Sequence, residues 1–196
     1  MLTRSSAEIE KRADQIIPEK KLIYIWSFAV FFATMNSTMF NVSLPSVQVD
    51  LSISVSIASW IISGYSMVLA ISTLTFSRLS EFIPILKLLI IGIILLGFGS
   101  IIGFFSNHFI TVLITRLLQA IGAGSIVSLS IVLTTRYIPF SRRGRAMVFI
   151  SSSAVLGLGL GPVFGGIIDQ FLGWNFLFLV TVLVVFFNTC FYSFIT

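Results

Sequence analysis

Charge is what this sequence has least of. Of its 196 residues only 10% are Asp, Glu, Lys or Arg, while 57% are hydrophobic; a soluble globular domain carries roughly 25% charged residues. Water is therefore not the solvent of most of its surface. Histidine and cysteine are scarcer still, with one of each, His108 and Cys190. One cysteine makes no intrachain disulfide and names no redox compartment. One histidine, in a predicted loop, offers no cluster for metal binding or acid–base work, so neither a metal site nor an enzyme is expected.

Uninterrupted apolar stretches are what the sequence does have. About 20 helical residues cross a hydrocarbon core of roughly 30 Å, and that length recurs at residues 22–44, 56–77, 86–106, 109–135, 146–168 and 174–195. The runs are continuously apolar instead of alternating in segments of about ten, which disfavours a β-barrel. A soluble bundle would need polar helix faces, and residues 88–105 offer almost none. The expected fold is an all-α membrane protein, a six-transmembrane-helix bundle occupying 22–196 behind a cytoplasmic amino-terminal segment at 1–21.

The net charge of +5 is distributed unevenly. Arg4, Lys11, Arg12, Lys20 and Lys21 precede the first span, Arg78 and Lys87 flank the second connection, and Arg136, Arg142, Arg143 and Arg145 fill the fourth. The first, third and fifth connections hold no Lys or Arg. Short basic loops stay cytoplasmic, so both termini are expected inside a cell (plasma) membrane crossed several times, with Asp50, His108 and Asp169 near the outer side. The basicity then reports topology and some attraction to anionic lipid, and no nucleic-acid partner is expected. Because 21 mixed-charge residues precede a full-length apolar run, the amino terminus is not expected to be a cleaved signal.

Polar residues inside spans are costly in lipid and mark the first places to look for function. The first span carries Thr34, Asn36, Ser37, Thr38 and Asn41. Thr34, Ser37 or Thr38, and Asn41 share a face at helical spacing, which fits either a polar stripe along an internal pathway or hydrogen bonds between helices. Arg116 lies about seven residues, roughly 10 Å, into the fourth span, with Gln119 and Gly122 on nearly the same face. Such an arginine needs water or a partner, or must snorkel to the interface. In the fifth span Ser153, Gly157, Gly161 and Gly165 recur every four residues, a small face that admits another helix closely, and Pro162 removes a backbone donor and is expected to bend the helix. In the second connection Arg78 and Glu81 stand three apart with Lys87 beyond Pro84, which is either a clamp between helix ends or a solvated pair.

Taken in order, these motifs resemble the major facilitator superfamily, specifically its drug:proton antiporters with 12 or 14 spans. Gly157, Gly161, Pro162, Gly165 and Gly166 are similar to the antiporter motif of the fifth span, with Val148 where an earlier glycine is usual. Arg116, Gln119 and Gly122 resemble the fourth-span motif, with Ala120 in place of glycine. Asn36, Asn41, Val42, Leu44 and Pro45 resemble the end of the first span, and Trp60 with Tyr65 the start of the second. Ser77-Arg78-Leu79-Ser80-Glu81, Pro84 and Lys87 are similar to the loop motif after the second span, with Ser, Glu and Pro for Gly, Asp and Gly. Arg143-Gly144-Arg145-Ala146 matches the basic approach to the fifth span.

Through Asn41-Val42-Ser43-Leu44-Pro45 and Arg136-Tyr137-Ile138-Pro139 the likeness extends to the Gram-positive tetracycline exporters. The chain departs from them at Ser37 and Leu158, where their pattern has acidic residues. The resemblance implies proton-coupled efflux of small hydrophobic drugs by alternating access, with no cofactor and a proton gradient as energy source. Asn36, Asn41, Tyr65, Arg116 and Gln119 would line the pathway. Gly157, Gly161, Pro162, Gly165 and Gly166 would pack against an opposite bundle, and Arg78, Glu81 and Lys87 would form the cytoplasmic clamp. One six-helix bundle is half of such a fold, so the chain is expected to be an amino-terminal half. Its implied partners are the lipid bilayer and a carboxy-terminal transporter half or second copy. The other expectation is a truncated, transport-inactive membrane fragment that only associates with other helices.

Overall fold

The computed structural model of the protein describes residues 19–193, and side chains for 23–185. The expected amino-terminal segment lies, up to residue 18, outside the described residues. Among the described residues six helices follow one another: α1 Glu19–Asp50, α2 Val55–Leu79, α3 Ile85–Phe104, α4 Phe109–Tyr137, α5 Phe140–Leu172 and α6 Phe176–Ser193. There is no strand among the described residues. Five of the helices, α1 to α5, are long and apolar enough to cross a membrane, and α6 is an apolar helix of 18 residues.

The expected spans fall on these helices, but α1 and α5 run well past the expected ends. Pro45 and Pro162 sit inside them without stopping them. Each proline frees a single carbonyl, that of Asn41 or Leu158, which a long helix held by neighbours tolerates. The real stops are elsewhere. Pro84 and Pro139 stand at the start of α3 and α5, where a missing N–H costs nothing. Gly173, at φ 93°, takes the left-handed conformation that ends α5, its N–H bonded to the carbonyls of Ile168 and Asp169. Ser54 caps α2 by accepting from the Ile57 N–H at 3.4 Å.

α4 is the core of the bundle. Two thirds of its span (67%) is buried, against 22% for α2 and 17% for α5. α2 and α3 lie against α4, α6 against α3, and α1 chiefly against α5. Glycines set these approaches. A Cβ on Gly122 would strike the Gly92 carbonyl and sit 2.6 Å from Leu96 Cβ on α3, and one on Gly124 would sit 2.7 Å from Ser72 Cβ on α2. On α3 itself, a Cβ on Gly103 would enter the Phe178 ring of α6.

The apolar interior is split into two clusters. One gathers Trp26, Val30, Tyr65, Phe76, Leu88, Leu96, Ala123 and Leu129. The other gathers Met35, Met39, Phe40, Val47, Ile61, Val112, Trp174, Leu177 and Phe178. The boundary between them is a layer of polar side chains.

Candidate functional site: a buried arginine in a polar layer

On α1 that boundary falls at Asn36, on α4 at Arg116 and Gln119, on α3 at Ser100 and on α6 at Thr181. All five side chains are buried, with Arg116 only 1% and Gln119 0% exposed. The spacing that brings them together is helical. Asn36 and Phe40 are one turn apart on α1, and Arg116 and Gln119 are one turn apart on α4.

The guanidinium is held without a carboxylate. Arg116 Nη1 donates to Asn36 Oδ1 at 3.0 Å and to Gln119 Oε1 at 2.9 Å. Its carbon lies 4.1 Å from the centre of the Phe40 ring and 4.0 Å from that of Tyr65. Two aromatic rings thus meet the cation, an arrangement that suits a planar, weakly hydrated guanidinium better than a compact, strongly hydrated ammonium. The amides continue the chain outward: Asn36 Nδ2 donates to Thr181 Oγ1 at 2.5 Å, and Gln119 Nε2 to Ser100 Oγ at 2.6 Å. Arg116 Nε has no hydrogen-bond partner among the described residues. A cation in a low-dielectric interior favours negative charge nearby. Here carbonyl dipoles and ring faces stand in for it, and an arginine keeps its proton throughout.

Four of the five residues expected along a pathway therefore meet in one cluster: Asn36, Tyr65, Arg116 and Gln119. Asn41 does not join them. It is exposed, on a part of α1 beyond the layer. The polar stripe on α1 also divides. Thr34 Oγ1, with one hydrogen to give, lies within hydrogen-bond reach of the Val30, Phe31 and Ala154 carbonyls, and Thr38 Oγ1 likewise of the Thr34, Met35 and Gly157 carbonyls. These threonines turn to α5 while Asn36 turns to α4.

Within this bundle the glycine helix has a partner of its own. Gly157, Gly161 and Gly165 are buried against α1. A Cβ on Gly157 would strike Thr34 Oγ1 and the Phe31 carbonyl, and one on Gly165 would come within 2.6 Å of the Met39 carbonyl. The α5 face that remains open carries Gly159, where a Cβ would meet nothing within 4 Å, beside Val155, Leu156 and Val163. Gly166 has only Val42 Cγ1 near, at 3.7 Å, and Pro162 is half-buried.

Arg78 and Glu81 form an ion pair at 3.6 Å with side chains 85% and 52% exposed, and Lys87 is exposed beyond them. In the fourth connection Arg143 folds back, donating to the Thr135 carbonyl at 2.5 Å and the Ile138 carbonyl at 3.5 Å, which caps α4. At the far end of the bundle Ser46 donates to Asp169 at 2.6 Å, and Trp174 Nε1 to Asp50 at 2.7 Å, tying α1 to the end of α5 and the turn into α6. Phe40, Ser100 and Thr181 join the site without any signal in the sequence. Serine and threonine are common in membrane helices, and nothing local separates a hydroxyl that meets an amide from one that only bonds its own turn.

The Major Facilitator Superfamily profile matches residues 26–195, from within α1 through α6. The chain belongs to the major facilitator superfamily. Among curated proteins it is similar to the riboflavin transporter RibZ of Clostridioides difficile, at 27% identity over 82% of this chain and 35% of that protein. It is also similar to the MFS-type transporter YfiU of Bacillus subtilis, at 31% identity over 88% of this chain and 34% of that one. A third likeness is to the multidrug export protein EmrB of Haemophilus influenzae, at 28% identity over 80% and 31%. The chain spans about a third of the length of these relatives. It is thus a multi-pass membrane protein of a transporter family, and Arg116 is a cation buried within its bundle.

Proposed function

We propose that this six-helix unit is the amino-terminal half of a proton-driven exporter of small hydrophobic drugs, working by alternating access in the plasma membrane. The carrying observation is the Arg116 layer: a cation, two amides and two aromatic rings buried where only apolar packing would be needed for a passive bundle. Intramembrane charges of this kind mark substrate or ion pathways. Relatives named for multidrug export and for riboflavin transport support a small organic cargo. Tetracycline-like compounds are the first to test, given the Asn41–Pro45 and Arg136–Pro139 segments.

In this proposal the basic end, with Arg78, Lys87 and Arg136 to Arg145, faces the cytoplasm, and so do both termini. A second bundle, from a carboxy-terminal half or another copy, completes the pathway against the sparsely buried α2 and α5. It also supplies the acidic residue that takes up the coupling proton. The Arg78–Glu81 pair, with Lys87, clamps helix ends in one of the two states.

A second proposal, favoured by those same uncovered α2 and α5 faces, is a transport-inactive bundle that only associates with other helices. Flux decides between them. Vesicles containing the chain alone, and the chain with a matching second bundle, are loaded with a fluorescent drug and given a pH gradient. Gradient-dependent efflux in either preparation supports transport, and its absence in both leaves the inactive bundle.

A further inference from the structure

Two hydroxyls that belong to no motif fix the direction of the hydrogen-bond chain around Arg116. Thr181 Oγ1 donates to the Leu177 carbonyl at 3.0 Å, and Ser100 Oγ donates to the Leu96 carbonyl at 2.6 Å. A hydroxyl has one hydrogen, so each offers only a lone pair to the next group. Asn36 and Gln119 must therefore approach with their NH2 ends, at 2.5 and 2.6 Å. An amide that turns its nitrogen to a hydroxyl turns its oxygen the other way. Both oxygens then arrive at the same atom, Arg116 Nη1, whose two hydrogens serve one each. A guanidinium has no acceptor, so a reversed amide would set N–H against N–H.

We propose that Thr181 on α6 and Ser100 on α3 are positioning residues that lock the Asn36 and Gln119 amides carbonyl-inward, which lets the bundle hold Arg116 as a cation without a carboxylate. The relay has a polarity: donation runs outward from Arg116 on α4, through the two amides and the two hydroxyls, to the backbone carbonyls of α3 and α6. A shift of α6 or α3 relative to α1 and α4 would take one carbonyl away from the guanidinium. The orientation rests on these hydrogen bonds alone, and its bearing on transport rests on the proposal above.

The chain is labelled with 15N at arginine, placed in lipid bilayers and observed by solid-state NMR, with the Arg116 side-chain resonances identified by their disappearance in Arg116→Lys. The expected spectrum has the two terminal nitrogens of Arg116 resolved, with Nη1 shifted downfield by its two carbonyls. Thr181→Val keeps the shape and removes the acceptor, and is expected to abolish much of that shift, while Thr181→Ser restores it. Ser100→Ala and Ser100→Thr are expected to behave the same way. An unchanged resonance in a folded Thr181→Val and a folded Ser100→Ala, or failure of both conservative variants to restore it, overturns the proposal. If Thr181→Val does not fold, Asn36→Leu/Thr181→Val, which has no amide to orient, is compared with it: recovery of folding supports the proposal and continued failure overturns it. A moved resonance with unaltered drug flux would sink the transport reading of the layer and leave the positioning intact.

Discussion

Asn36 on α1 and Arg116 on α4, 80 positions apart in sequence, meet side chain to side chain at 3.0 Å. With Gln119 they leave the guanidinium two carbonyl oxygens in place of a counter-ion, and the rings of Phe40 and Tyr65 take the remaining approach. The consequence is a cation that depends on geometry more than on charge pairing.

Arg116→Lys should therefore be worse for stability than its retained charge suggests. An ammonium loses the stacking on both rings, where a desolvated cation–π contact is worth about 2 kcal/mol, yet keeps the cost of burial. The expected loss is about 2–4 kcal/mol. Arg116→Met removes the cost of burying a charge but leaves Asn36 Oδ1 and Gln119 Oε1 without their donor, at about 1–3 kcal/mol each, so its loss should be at least as large as that of lysine, which can still donate. Unfolding midpoints of both variants in detergent check the order; Lys matching the parent would show that the rings contribute nothing.

At the opposite end of α1, Ser46→Ala should cost more than a surface hydroxyl would. Ser46 donates to Asp169 Oδ2, and Asp169 Oδ1 is already without a partner among the described residues. Removing the hydroxyl leaves the half-buried carboxylate with neither oxygen satisfied, an expected loss of about 1–3 kcal/mol. Asp169→Asn in the Ser46→Ala background should recover part of it, because the neutral amide is cheaper to bury. Thermal unfolding of the single and double variants decides.

Trp174→Phe tests the neighbouring tie. The indole is 4% exposed and donates to Asp50 Oδ2 at 2.7 Å. Phenylalanine keeps most of the packing and loses the donor, for about 1 kcal/mol. Asp50→Asn, which still offers a carbonyl oxygen, should be nearly silent by the same measurement. Equal losses from Asp50→Asn and Trp174→Phe would mean that charge, not the hydrogen bond, holds this corner.

How much of this could be read from the sequence follows from the range of the interactions. Helix number and order were legible because apolar length is a local property, as the 20 residues of α3 show. Arg116, Gln119 and Asn36 were legible because each is costly or conspicuous inside a span, and Tyr65 only through the family resemblance of the second span. Thr181 and Ser100 were not, since their importance lies in partners 145 and 19 positions away. The glycine row on α5 was legible as a close-approach face, but not its partner. Which helix fills such a face depends on three-dimensional packing, and α1 brings Thr34 and Thr38 to it.

That row yields the sharpest contrast within one helix. Gly161 and Gly159 are two residues apart on α5 and so face different ways. A methyl on Gly161 would overlap Thr38 Oγ1 and lie 2.8 Å from the Met35 carbonyl, and a backbone carbonyl in a packed helix cannot move aside. Gly161→Ala should cost about 1–3 kcal/mol as overpacking and push α5 away from α1. Gly159→Ala meets nothing within 4 Å and should be neutral or stabilising by up to about 1 kcal/mol, since alanine is the better helix former. A cysteine pair placed across α1 and α5, in a Cys190→Ser background, reports the separation through its cross-linking rate. That rate should fall in Gly161→Ala and hold in Gly159→Ala. A fall in Gly159→Ala alone would mean that the exposed α5 face, not the one against α1, carries the close contact.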